Sequence, residues 1–183
     1  MKIILASTSP RRKELLEREG IDFIIDASSI TEYLDSSLEI EERLKKLAYD
    51  KGISIHEKYP DDVVISADTT IYHNGKIIGK AHSAQEAREI LESLSSDTHS
   101  VFTSVAVFYK DQVCTFVDET KVTFKNISDM IDDYLSIDEW QGKAGAYAIQ
   151  GVAGKFIEEV QGDIDNVIGL PVKHVIEDRK SVV

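Results

Sequence analysis

Apolar residues in this chain come in short runs broken by polar turns, with helical spacing between them. Lys2-Ile3-Ile4-Leu5-Ala6 stops at Ser7-Thr8-Ser9-Pro10, and Leu15 and Leu16 follow before Gly20. That order predicts strand, turn and helix. Ser9 suits an N-cap, Pro10 a first helical position whose N–H would be unpaired anyway, and Gly20 a C-terminal stop. Phe23-Ile24-Ile25 predicts a second strand, and residues 26–37 a loop carrying Glu32. Residues 39–58 predict helix with Leu44, Leu47 and Ala48 on one face, and Gly52 leaves open whether it is one piece or two.

Val63-Val64-Ile65 predicts a buried strand that runs into Ser66-Ala67-Asp68-Thr69-Thr70. Ile71 and Tyr72 continue the extended pattern, and Asn74-Gly75 supplies the positive φ angles of a tight hairpin turn. Asp68 therefore falls at the mouth of a strand, where a sheet meets a loop. Aspartate is depleted in strand interiors, so it serves there either an Asx-turn or chemistry.

Further on, Ser83 with Glu86 forms a capping box ahead of a helix. Residues 99–109 and 112–124 flank Lys110-Asp111 as a long antiparallel pair. Residues 127–137 are helical, with Ser128 at the start. Between Gly142 and Gly154 lie four glycines, which make that segment either a hinge or a floor beneath a ligand. A last strand at 156–160, a turn at Gly162-Asp163 and a helix at 171–178 complete an α/β domain with a mixed sheet.

The 183 residues suffice for one good-sized core or two small lobes, with one domain, 1–183, as the default. A net charge of −12 argues against binding to nucleic acid backbones or anionic membranes. No apolar run approaches the roughly 20 residues needed to cross a bilayer. The run at Ile3–Ala6 is also too short for a signal-peptide core, which points to the cytoplasm. The single cysteine, Cys114, fits a reducing compartment and is expected to be a buried small hydrophobe. His56, His73, His82, His99 and His174 lack zinc-site spacing and are expected at the surface or at edges.

Against this acidic background, Ser7, Thr8 and Ser9 stand beside Arg11, Arg12 and Lys13 at a helix N-terminus. Unpaired N–H groups, hydroxyls and cations in one place make a phosphate cradle, or else a well-capped surface helix with solvated arginines.

Four motifs occur in order: Leu5 to Arg12, Ala67-Asp68-Thr69 followed by Gly79-Lys80, Lys143 to Tyr147 with Ile149-Gln150-Gly151, and Val167 to Pro171. Together they resemble the Maf family of nucleoside triphosphate pyrophosphatases over nearly the whole chain. The resemblance implies an elongated α/β fold with a mixed sheet and flanking helices, two lobes around a central cleft, similar to inosine triphosphate pyrophosphatases. It also implies a divalent metal, Mg²⁺ or Mn²⁺, a homodimer, and hydrolysis of a nucleoside triphosphate to the monophosphate and pyrophosphate.

By that resemblance the catalytic base falls on Asp68, phosphate contacts on Ser7, Arg12, Lys51 and Lys80, and the metal on Glu32 and Asp68. Arg11, Thr69 and Gln150 match the positions that mark the branch preferring dTTP and UTP; modified pyrimidine triphosphates are a further substrate class. A nucleotide-sensing module in septum formation is the non-enzyme alternative. Three departures stand out: Ala81 follows Lys80 where the family usually has proline, Ala148 replaces a common glycine before Ile149-Gln150, and Asp50-Lys51-Gly52 replaces a Glu-Lys-Ala.

Independently of the name, cleavage between the α and β phosphates needs a positioned water, a group to activate it, and cations for the charge that builds on pyrophosphate. The residues named above include each of these parts.

Overall fold

The computed structural model describes residues 1–27, 29–30 and 37–182. The expectation for Glu32 lies outside the described residues. In chain order the elements are β1 (Ile3–Leu5), α1 (Pro10–Arg18), β2 (Ile24–Ile25), α2 (Ile40–Lys58), β3 (Val63–His73), β4 (Lys76–Ile78), α3 (Ala84–Leu94), β5 (Thr98–Tyr109) and β6 (Gln112–Phe124). They continue with a 3₁₀ turn at Ser128–Met130, α4 (Ile131–Ser136), a second 3₁₀ turn at Val152–Phe156, β7 (Ile157–Gln161), α5 (Ile164–Ile168) and α6 (Val172–Val182).

Among the described residues the strand order is β2-β1-β3-β5-β6-β7, with β4 paired to β3. The sheet is mixed, as the alternation of elements predicted. β1 lies parallel to both β2 and β3, with Ile4 opposite Ile24 and Val64, whereas β3–β4 and β6–β7 are antiparallel. No helix among the described residues is long and apolar enough to cross a membrane.

The chain divides into two compact units. The first comprises Met1–Asp68, Thr103–Asp118 and Gly169–Val183. In its core Ile4, Ala6 and Val64 of the sheet region meet Ala48 and Ile55 of α2, together with Ala106 and Phe108. These side chains are 0–7% exposed, and burying each larger one contributes roughly 1.5–3 kcal/mol.

Helix α2 is continuous through Gly52, which settles the question its glycine raised. A Cβ there would stand 2.4 Å from Phe108 Cε2 and 2.5 Å from Ser66 Oγ. Gly52 is thus where the helix backbone approaches the sheet most closely, and the glycine's cost to the helix is offset by packing.

The second unit comprises Thr69–Phe102 and Glu119–Ile168. Its core gathers Ala87, Leu91 and Leu94 of α3, Ile131 and Tyr134 of α4, and Val122, Phe124, Trp140, Tyr147 and Phe156. The β3–β4 turn has Asn74 at φ 48° and Gly75 at φ 77°, the left-handed pair expected of a two-residue hairpin. Ser83 Oγ accepts from the Glu86 N–H at 3.1 Å, but the reciprocal arm is displaced by one residue, since Glu86 accepts from the His82 N–H.

Several expectations need correction. Asp68 does not mark a strand end, because β3 runs unbroken from Val63 to His73; the Asx-turn explanation falls with it. The Ser9 side chain makes no capping bond, although its carbonyl accepts from Lys13 N–H at 3.2 Å. Ser128 does stand at the start of its helical segment, as expected, with Asn126 Oδ1 accepting from its N–H at 3.0 Å. Cys114 is half-buried and donates to Asp178 Oδ2 at 3.4 Å.

The histidine expectation fails for two residues. His73 and His99 are 6% and 2% exposed, and His99 Nε2 lies 2.7 Å from the Tyr147 hydroxyl. His73 Nε2 pairs with Asp97 Oδ2 at 2.9 Å.

Candidate active site

The first unit places Ser7, Arg11, Arg12, Lys51 and Asp68. Ser7 follows β1 directly, and its hydroxyl accepts from the Ser9 N–H at 3.2 Å and from Arg12 Nη1 at 3.1 Å. Arg12 Nε donates to the Gly169 carbonyl at 2.7 Å, across 157 residues of sequence. The guanidinium is therefore held at two points in one plane, which suits a planar fork and not an ammonium. Gly169 has φ 136°, where only glycine is at ease, so the carbonyl that receives Arg12 depends on that residue type.

Asp68 projects from the middle of β3, and Lys51 from α2 one position before the close approach at Gly52. Lys51 Nζ donates to Asp68 Oδ1, with the two side chains 18% and 16% exposed. Because Gly52 carries no side chain, the helix comes near enough for this pair to form.

Arg11 behaves differently. Its Nε is buried and has no hydrogen-bond partner in the structure. Burial disfavours its charged form, and neighbouring Glu14 offsets this only in part. A buried donor without an acceptor costs about 1–3 kcal/mol, and such groups call for an explanation.

The second unit holds Thr69, Lys80 and Gln150. Thr69 follows Asp68 on β3 and is half-buried, while Lys80 and Gln150 are exposed. Lys80 forms an isolated antiparallel bridge with Ala144, and the Gly145 N–H donates to the Gly79 carbonyl at 3.1 Å. Main-chain pairing thus joins the Gly79-Lys80 motif to the Lys143–Tyr147 motif.

Three of the four glycines of that segment pack closely against protein atoms, whereas a Cβ at Gly142 would meet nothing within 4 Å. A Cβ at Gly145 would meet Ile71 Cγ1 at 2.9 Å, one at Gly151 would meet Glu139 Oε1 at 1.5 Å, and one at Gly154 would meet the Ile149 carbonyl at 2.7 Å.

Two features escaped sequence analysis: the Gly169 carbonyl as anchor for Arg12, and Glu139 against Gly151. The first lay inside a quoted motif; the second had no signal beyond an ordinary surface carboxylate.

Among the described residues no group of three or more His, Cys, Asp or Glu gathers to hold a metal. Asp68 is still a suitable partial ligand. Mg²⁺ binds through one or two carboxylates, retains waters, and completes its shell with substrate phosphates.

The family description Maf-like protein matches residues 2–180. The dTTP/UTP pyrophosphatase of Pyrococcus abyssi (strain GE5 / Orsay) is 44% identical over 176 residues, covering 96% of this chain and 93% of that protein. A dTTP/UTP pyrophosphatase of Bacillus cereus is 40% identical over 180 residues, covering 98% of this chain and 94% of that protein. Among solved structures, the Staphylococcus aureus Ham1 protein aligns with TM-score 0.47 and 14% identity over 68% of this chain and 72% of that one. That alignment is too loose to support any inference, and the fold rests on the strand order itself. The motifs, the family match and the near-complete coverage by relatives agree: the chain belongs to the Maf family.

Proposed function

We propose that this chain is an enzyme that hydrolyses dTTP and UTP at the α–β phosphoanhydride bond, releasing the nucleoside monophosphate and pyrophosphate. The observation that carries this is the Lys51–Asp68 pair, in the same unit as the Ser7–Arg12–Gly169 network. The names of the two relatives supply the substrate class.

Asp68 takes the proton of the attacking water. An ammonium has three donors, so Lys51 can hold Asp68 and still reach a phosphate oxygen. Arg12, already oriented by Ser7 and Gly169, meets charge that develops on the departing pyrophosphate, and a donor fixed beforehand costs no reorganisation. Lys80 and the Ser7 region bind phosphate as the resemblance implies. Arg11, Thr69 and Gln150 select the base, and the unpartnered Arg11 Nε is a donor that a pyrimidine carbonyl would satisfy.

Asp68 and Glu32 are the residues that would hold Mg²⁺ or Mn²⁺. When bound, such an ion neutralises phosphate charge and acidifies coordinated water. A homodimer, implied by the family resemblance, and a cytoplasmic location, expected from sequence, belong to the same proposal. Neither the site nor the relatives' names favours a division-control module.

Steady-state assays on purified protein with dTTP, UTP and the purine triphosphates test the proposal. Pyrophosphate should appear with dTTP and UTP preferred, chelation should abolish it, and added Mg²⁺ or Mn²⁺ should restore it. Orthophosphate as product, or equal rates on all nucleotides, would overturn it. Light scattering of the purified protein tests the dimer.

A further inference from the structure

Glu139 is an unexpected residue in the second unit. It sits between α4 and the glycine-rich segment, and its Oε2 accepts from the Val152 N–H at 3.1 Å. Its Oε1 is buried without a hydrogen-bond partner and occupies the space a side chain at position 151 would fill, 1.5 Å from where a Cβ would stand. Lys143 Nζ donates to the Glu139 carbonyl, so the residue is tied from both of its ends.

A buried carboxylate oxygen without a partner is costly, and an apolar side chain would fill the same space at lower cost. What the carboxylate provides is a fixed acceptor for one main-chain N–H. That N–H lies two residues beyond Gln150.

The other side of Gln150 is held as well. The Gly151 N–H donates to the Ala148 carbonyl at 3.1 Å, and the Gly154 N–H to the Gly151 carbonyl at 3.0 Å. Gly154 also leaves room for the Ile149 carbonyl, which a Cβ would meet at 2.7 Å. The backbone on both sides of Gln150 is therefore pinned while the side chain stays exposed.

We propose that Glu139 is a positioning residue for nucleotide selection: by holding the Val152 N–H and filling the space beside Gly151 it sets the direction of Gln150. This rests on the assignment of Gln150 to base choice in the preceding subsection. Glu139 touches neither substrate nor reacting atoms.

The test compares Glu139→Ala, Glu139→Gln, Gln150→Ala and the double variant Glu139→Ala/Gln150→Ala on dTTP and dGTP, with amide hydrogen exchange at Val152. Losing one positioning hydrogen bond should lower the dTTP-over-dGTP ratio of kcat/KM by about tenfold in Glu139→Ala, mainly through KM for dTTP. Glu139→Gln keeps an oxygen for the Val152 N–H and should retain selection. The double variant should be no less selective than Gln150→Ala alone, because both changes remove one function. Exchange at Val152 should accelerate in Glu139→Ala and in the double variant, and stay unchanged in Glu139→Gln and Gln150→Ala. If Glu139→Ala does not fold, Glu139→Asp withdraws the carboxylate from Val152 while keeping its charge and should shift selection in the same direction.

Equal loss on both nucleotides through kcat, additive effects in the double variant, or unchanged exchange at Val152 would each overturn the proposal. Absence of any dTTP preference in the unaltered chain would instead overturn the function assigned to the protein. In that case the exchange measurement still decides whether Glu139 holds the turn.

Discussion

Lys51 of α2 and Asp68 of β3, 17 residues apart in sequence, form an ion pair whose side chains are 18% and 16% exposed. A pair this sheltered from water is screened less than a surface pair, and removing one partner leaves the other charge uncompensated. Asp68→Asn should lower kcat/KM for dTTP on the order of a hundredfold or more, as expected for loss of a general base. Lys51→Met should cost a similar amount. The double variant should be far less impaired than the product of the two, since the residues act as a unit. Steady-state kinetics on the four proteins checks this.

Arg12 is a case where charge alone is insufficient. A lysine at that position cannot reach both Ser7 Oγ and the Gly169 carbonyl in one plane. Arg12→Lys should reduce kcat/KM by roughly tenfold or more, losing a preorganised donor. Gly169→Ala, which forces a side chain onto φ 136°, should destabilise the chain by about 1–3 kcal/mol. Kinetics and urea unfolding separate the two effects.

Gly52→Ala sets two effects of opposite sign against each other. Alanine gains about 1 kcal/mol in helix propensity over glycine. Its Cβ would intrude on Phe108 and Ser66, 1% and 0% exposed, with Ser66 already donating to the Ala48 carbonyl at 2.6 Å. Overpacking of about 1–3 kcal/mol should prevail, lowering the urea midpoint.

His99 makes stability depend on acid. Burial, assisted by the charge of His73 and opposed by Asp97, lowers its pKa from 6.5 to about 4. Between those values the unfolded chain binds a proton that the folded chain does not, so stability falls as pH drops from about 6.5 towards 4. The loss from this group is roughly 3 kcal/mol at the acid end of the window. His99→Phe removes that slope, while costing about 1–3 kcal/mol at every pH because Tyr147 loses its partner. Urea midpoints at a series of pH values, compared between the two proteins, show the difference.

The strands at residues 63–65 and 112–124, the Asn74-Gly75 turn and the Ser83 cap were legible because each follows from local rules of spacing, propensity and turn chemistry. The site was legible only as residue types: Ser7, Arg12 and Asp68 came through motifs and Lys51 through the family resemblance, without their mutual contacts. Local rules misled at Asp68, where depletion of aspartate in strands suggested a strand end. They misled at His73 and His99 too, because burial of each goes with a distant partner, Asp97 Oδ2 for His73 Nε2 and the Tyr147 hydroxyl for His99 Nε2, that local patterning does not show.

Residue order alone thus settled most of the sequence of elements, the short helix α5 excepted, and the gathering of hydroxyls and cations near residues 7–13, since these depend on neighbours within a few positions. Folding in three dimensions decided that Arg12 meets Gly169, that Gly52 lets α2 close on the sheet, and that Glu139 fills the place of a side chain at 151. Those contacts join residues 12 to 157 positions apart, or match shapes to within a fraction of an ångström, and neither distance nor shape is encoded in local patterning.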